Sequence, residues 1–240
     1  MGVEKGRPLP FLALPEGSRL SLFISSMNPF QSLLFGADHI TSPLPANLPG
    51  RALLTALVQA VEIKEPKLRG HGARTAGYAL ELGRAIQLSD QDLVHLNYAA
   101  YLHDVGKLAV PEEILTKQGP LTSREYHQLQ SHPRAATVLL DSWPFLKIPS
   151  IWIAHHHEHW DGSGYPNGLK GAFIPLGSRI IAIADAYDVL TVRNLSDSEI
   201  DPNECLSILR WYSGSQFDPE LIETFSTLVH QWDGLVTCTT

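Results

Sequence analysis

From Arg51 onward apolar residues fall at helical spacing. Leu53, Leu54, Leu57, Val58 and Val61 recur every three or four positions, the stripe of an amphipathic helix. After Pro66, the residues His71, Thr75, Tyr78, Leu82 and Ile86 follow at intervals of 4, 3, 4 and 4, which predicts a second helix with a histidine on its buried face. Ser89 with Asp92 three residues on is a helix-start signal, and Leu93, Leu96, Ala100, His103 and Lys107 extend the stripe from it. That inner stripe ends in a histidine and a lysine. Thr122 with Glu125 predicts a capping box, with Leu121 and Tyr126 placed as a hydrophobic staple, opening a helix that carries Leu129 and His132. Pro133 interrupts that helix. Because a residue before proline is pushed away from helical geometry, His132 is expected at a kink.

Residues 160 to 171 are dense in Gly, Pro, Asn and Asp and read as a loop of tight turns. Residues 179 to 190 are helical in pattern, with Ile181, Ala184, Asp185 and Asp188 on one stripe. Asp218 and Pro219 form a cap and first-turn pair for a last helix carrying Leu221, Ile222, Phe225 and Leu228. Residues 1–50 are rich in Pro and Gly without sustained period and read as an irregular extension or a remnant of a regulatory region. No period-2 strand and no internal repeat is visible. The expected architecture is an all-α helical bundle over residues 51–232, followed by a tail at 233–240.

Composition narrows the classes. With 240 residues and 44% hydrophobic content, the chain has the length for one cored domain with an appendage. No apolar run approaches the roughly 20 residues that cross a bilayer, and the first residues lack the pattern of a secretory signal. A cytoplasmic protein without a membrane partner is expected, with Cys205 and Cys238 as reduced thiols. A formal charge of −7 argues against DNA or RNA polymers as partners. The unusual component is eleven histidines, four of them between His155 and His159.

Several predicted elements deliver His or Asp inward, where burial costs several kcal/mol unless something satisfies them. The candidates are His71, His103, Asp104, His132, His156, His157 and Asp185. Taken singly, each has a plain alternative: a hydrogen-bonded core histidine, a solvated histidine tract, a surface carboxylate, or a polar network around His103, Asp104 and Lys107. Taken together, they suit a shared metal site. Mixed imidazole and carboxylate donors fit Fe, Mn or Zn better than Mg, and seven donors are too many for one ion with an open position. A two-metal site with a bridging carboxylate is expected, the arrangement suited to phosphodiester hydrolysis. Lys107 can stabilise phosphate charge or help the leaving group depart, provided it stays cationic beside the metals.

The strings HDVGK at 103–107 and HHEHWDGSGYP at 156–166 resemble the HD-GYP subfamily of the HD phosphohydrolase superfamily. LTSREY with His132-Pro133, GLKGAFIPLGSRIIAIADAYDVLT and GSQFDP follow in the same order, so the resemblance covers roughly residues 50 to 232. It implies an HD-domain bundle with a buried dinuclear centre, most simply two Fe ions or alternatively Mn, hydrolysing cyclic di-GMP to pGpG and often onward to GMP. The implied ligands are His71, His103, Asp104, His132, His156, His157 and Asp185, with Asp104 bridging. Asp104 and Lys107 are the implied catalytic residues. Substrate contacts fall on Lys107, Gly164, Tyr165, Pro166 and Arg193, and the GYP loop is associated with diguanylate cyclase partner domains.

Two positions depart from the family. Lys67 stands where some members carry a glutamate for a third metal, so two metals are expected. Arg193 is the only basic residue where an arginine-led phosphate-gripping stretch usually follows. Three other readings stay open from the sequence: hydrolysis of another 3′,3′ cyclic dinucleotide such as cGAMP, a catalytically weak nucleotide-sensing or protein-interaction module, and a nucleotidase of the wider superfamily. Base identity and oligomeric state are not legible.

Overall fold

A computed structural model describes residues 43–194 and 202–237. Its elements are α1 (Arg51–Lys64), α2 (His71–Ala85), α3 (Asp90–Leu102), α4 (Glu112–Leu115), α5 (Ser123–Leu129), α6 (His132–Leu140), α7 (Lys147–Ala154), α8 (Leu176–Asn194), α9 (Pro202–Trp211) and α10 (Pro219–Thr237). Short 3-10 turns join several of them, and the only strand-like pairing among the described residues is one isolated bridge between Ser213 and Phe217. The all-α expectation holds.

The predicted stripes form the core. Leu54, Val58 and Val61 of α1, Tyr78 and Leu82 of α2, Leu96 and Leu102 of α3, and Ile180, Ile181 and Ile183 of α8 are buried. Each large aliphatic side chain fully removed from water contributes ~1.5–3 kcal/mol. Small residues, Ala76 and Ala79 on α2 with Ala99 and Ala100 on α3, let these two helices pack closely. α10 closes the bundle with aromatic rings: Tyr187 meets both Tyr78 at 5.0 Å and Phe225 at 5.1 Å, edge to face. A satellite cluster of Val110, Ile114, Leu115 and Leu129, joined by Leu121, seats α4 and α5 ahead of His132.

Several boundaries differ from the pattern-based expectation. The second helix does not run on from Pro66: Pro66–Leu68 form a 3-10 turn, Gly70 adopts φ 74°, and His71 is the first residue of α2. α3 stops at Leu102, and Val105–Ala109 turn as 3-10 helix, so Lys107 is not on the continued α-helical stripe. The tighter turn is set by tertiary packing, since a Cβ on Gly106 would collide with the His132 carbonyl. The Thr122–Glu125 capping box forms, while Tyr126 remains 40% exposed and only Leu121 joins the satellite core. His132 sits at the start of a new helix rather than at a kink, with Pro133 in that helix's first turn, where its missing N–H costs nothing.

At the chain's ends, residues 43–50 pack on the core through buried Leu44, and Arg51 Nε donates to the Leu44 carbonyl at 2.9 Å. The last helix runs to Thr237. Residues 1–42 and 238–240, including Cys238, lie outside the described residues, as do the 195–201 segment and the side chain of Arg193.

Candidate metal centre

The inward-facing groups come from element ends, where the chain changes direction. His103 follows α3 and its Nδ1 donates to the Ala100 carbonyl at 2.7 Å. His132 opens α6 and donates to the Leu129 carbonyl at 2.8 Å; His156 follows α7 and donates to the Ile153 carbonyl at 2.6 Å. A carbonyl can only accept, so each of these rings carries its proton on Nδ1 and, when neutral, leaves the Nε2 lone pair for another partner. His156 Nε2 is buried with no hydrogen-bond partner, the kind of orphan a cation would satisfy.

The donors gather in overlapping groups whose ligand atoms lie within 4.8 Å of one another: His71, His103 and Asp185; His103, Asp104 and His156; and His132, His156 and His157. His71 Nε2 lies 3.2 Å from His103 Nε2, and His157 Nε2 lies 3.2 Å from His132 Nε2. That separation suits two neighbours on one cation with metal–nitrogen distances of ~2.0–2.1 Å. Asp104 stands between the two ends. Its Oδ1 is 3.5 Å from His132 Nε2, and its Oδ2 is 3.6 Å from His103 Nε2 and 3.9 Å from His71 Nε2. The donor set therefore fits a pair of divalent ions sharing one carboxylate.

Behind His71 lies a charged support that the sequence did not assign to the site. Asp188 Oδ2 is 2.8 Å from His71 Nδ1, and Arg74 grips the same carboxylate with two hydrogen bonds of 2.7 and 3.0 Å. Burial disfavours the imidazolium of His71, yet hydrogen bonds to Asp185 and Asp188 outweigh it and raise this group to about 10 without a metal. Opposite shifts mark the other end: burial, with help from neighbouring histidines, lowers His156 to about 3, and burial beside Lys107 lowers His132 to about 4 despite Asp104. His157 is driven well below its ordinary value by burial and then by His156. Burial opposes the Asp104 carboxylate, but Lys107, His103 and His132 hold it well below the usual range.

Lys107 Nζ lies 2.8 Å from Asp104 Oδ2 and 3.2 Å from Glu65 Oε2. Burial works against its charge, and the two carboxylates outweigh burial and raise it above the ordinary lysine value. The signal for Glu65 was missed because it lies on the end of α1, 42 residues from its partner.

The loop after the histidines folds back over the centre. Glu158, buried between His157 and His159, accepts from the backbone N–H groups of Asn167 at 2.7 Å and Leu169 at 2.9 Å. Tyr165 N donates to the His157 carbonyl at 3.1 Å, and its ring stacks on the His157 imidazole with centroids 4.9 Å apart. Gly164 touches the backbone of His157 and His159 so closely that no side chain fits there. Pro166 is exposed beyond Tyr165. Of the four histidines at 155–159, His156 and His157 join the centre, whereas His155 donates to the Ile151 carbonyl and His159 pairs with Ser163. Lys67 is exposed on its turn. A cleft lined by His156, His157, His159, Asp185 and Gln216 reaches the centre from the loop side.

A helical bundle that converges histidines and aspartates on one buried centre defines a class of candidate metal-binding proteins, and similarity to known proteins narrows it. The HD domain family matches residues 55–221, and the chain belongs to that family, in its HD-GYP branch. A cyclic di-GMP phosphodiesterase response regulator of Xanthomonas campestris pv. campestris is 33% identical over 72% of this chain and 46% of its own length. A 3′3′-cGAMP-specific phosphodiesterase 2 of Vibrio cholerae is 33% identical over 78% of this chain and 35% of its own length. The chain thus spans less than half the length of either relative. Among solved structures, a cyclic GMP-AMP specific phosphodiesterase of V. cholerae superposes with a TM-score of 0.59 at 22% identity, covering 74% of this chain and 48% of that one, which supports the fold.

Proposed function

We propose that residues 51–232 form the catalytic part of a metal-dependent phosphodiesterase that hydrolyses cyclic di-GMP to pGpG and/or GMP. One observation carries this reading: Asp104 presents one oxygen to each end of a histidine-rich centre, beside a fixed ammonium from Lys107. The chemistry supplied by a divalent pair at such a site is Lewis acidity toward the phosphate and activation of the attacking water. His71, His103, Asp104 and Asp185 would hold one ion, and Asp104, His132, His156 and His157 the other. Fe fits this mixed donor set, with Mn as the alternative. Lys107 faces the charge that develops on the phosphoryl oxygens or the leaving group. Tyr165 walls the His157 side, and the Gly164–Pro166 loop and Arg193 contribute substrate contacts.

A second reading has its own support. The relatives named for cyclic di-GMP and for 3′3′-cGAMP match this chain at equal identity, so cGAMP is the alternative substrate. Docking of a diguanylate cyclase domain through the GYP loop and a cytoplasmic location belong to the same proposal. Protein purified without oxygen, analysed for metal and supplied with each dinucleotide, tests it: linear product that Asp104→Ala abolishes is expected. Absence of turnover on both substrates with Fe and with Mn would overturn it.

A further inference from the structure

The turn carrying Asp104 and Lys107 is gripped from outside its own motif by two consecutive residues at the end of α1. Lys64 Nζ donates to the carbonyls of Val110 at 2.6 Å, Leu108 at 3.2 Å and Lys107 at 3.4 Å, the last of which also accepts the Val110 N–H at 3.0 Å. Its neighbour Glu65 turns the other way and places Oε2 3.2 Å from Lys107 Nζ. Both ends of that ion pair are largely buried, the Lys107 side chain at 10% exposure and that of Glu65 at 16%. Lys107 is therefore shared between Glu65 and Asp104.

The sharing matters because a lysine is a point charge on a flexible stem with ~2 kcal/mol of rotamer entropy, and one contact does not fix it. With Asp104 as its sole carboxylate partner, the ammonium would settle wholly on the oxygen that must also serve a cation. Glu65 supplies a second anchor and a compensating negative charge. Two carboxylates, Glu65 and Asp104, then face one ammonium at the centre.

We propose that Glu65 is a positioning residue for hydrolysis, acting through Lys107: it draws the ammonium partly off Asp104, leaving that carboxylate free for metal and holding Lys107 beside the reacting phosphate. Lys64 fixes the backbone of the same turn. This assignment rests on the phosphodiesterase reading above, and its test includes a readout that does not.

The full chain and its Glu65→Gln and Glu65→Asp variants are compared by Mn2+ titration, bound-metal analysis, thermal melting, and kcat and KM on cyclic di-GMP. Glu65→Gln is expected to melt within a few degrees of the parent, to bind Mn2+ about tenfold more weakly, and to lose about 10–100-fold in kcat with KM little changed. Glu65→Asp recovers part of both losses. Parent-like Mn2+ affinity and kcat in Glu65→Gln overturn the proposal. So does a pure loss of melting temperature, equal in the two variants and without a selective fall in kcat or Mn2+ affinity. If the parent turns over no cyclic dinucleotide, the phosphodiesterase reading falls, and the Mn2+ titration alone decides: weakening in Glu65→Gln supports the positioning role, and unchanged affinity overturns it.

Discussion

The two ends of the centre are built from the same kind of ligand and held in opposite ways. At the His71 end, the ring is backed by Asp188, itself clamped by Arg74, and Asp185 approaches within 3.2 Å. At the His157 end, His132 and His156 lean on backbone carbonyls, and His157 lies under the ring of Tyr165. Negative charge attracts a cation to the first end and also attracts a competing proton. Three neutral imidazoles at the second end offer lone pairs without that competition, and without that attraction. The two positions are accordingly expected to differ in affinity and in response to pH, with Asp104 the one group common to both.

The largest effect is expected where the two ends join. Asp104→Ala removes the shared carboxylate and leaves Lys107 with Glu65 alone, so both ions are weakened together. Loss of ~4 kcal/mol of charge stabilisation in the transition state corresponds to ~10³-fold in rate. Turnover assays with metal analysis check this; a variant that keeps two ions and its rate would dissolve the role of Asp104 as the common group.

Asp188→Asn acts on one end only. It preserves shape but removes the charge that orients His71 and pairs with half-buried Arg74. Metal affinity at the His71 end is expected to fall about 10–100-fold, with the other end retained. A Mn2+ titration should then show one step weakened and the other unchanged. Equal weakening of both steps would show that the ends are not independent.

The pH dependence of the metal-free protein separates the ends without mutation. His71, raised to about 10 in the folded state, contributes stability that is complete below pH 6.5 and is lost as pH rises toward 10. His132 and His156, lowered to about 4 and about 3, behave oppositely: below pH 6.5 the unfolded chain takes up protons that the folded rings refuse, so stability falls as pH drops. Melting temperature in the presence of a chelator should therefore peak near pH 6.5 and decline on both sides. A flat profile from pH 6.5 to 10 would remove the charged support assigned to His71.

The difference between the ends also marks what sequence reading can reach. His71, His103, Asp185 and Asp188 appear on apolar stripes because a helical period survives in sequence. Their supports do not, since Arg74 and Asp188 meet across 114 residues and Lys64 reaches Val110 across 46. The turn at Val105–Ala109 kept the helical spacing of His103 and Lys107 in sequence while leaving α-helical geometry, because the constraint is Gly106 pressed on α6, a tertiary contact. α7 went unread because Pro149 sits in Lys147–Ala154 and looks like a breaker, although its place in the first turn is tolerated. The motif strings located the ligands; the geometry of their tethering came from packing between distant elements.

The smallest expected effect lies at Tyr165. Its ring covers one face of His157 with an interplanar angle of 29°, while its backbone N–H is already tied to the His157 carbonyl. Tyr165→Leu leaves that backbone tie and removes only the stacking, which is worth ~0.5–1.5 kcal/mol, or about 2–10-fold. His157 should stay in place, metal affinity at its end should fall within that range, and, under the proposed function, KM for cyclic di-GMP should rise several-fold. A loss as large as that of Asp188→Asn would mean that the neutral end depends on its side-chain cover as heavily as the charged end depends on Asp188. Backbone carbonyls alone would then be insufficient to orient its three histidines.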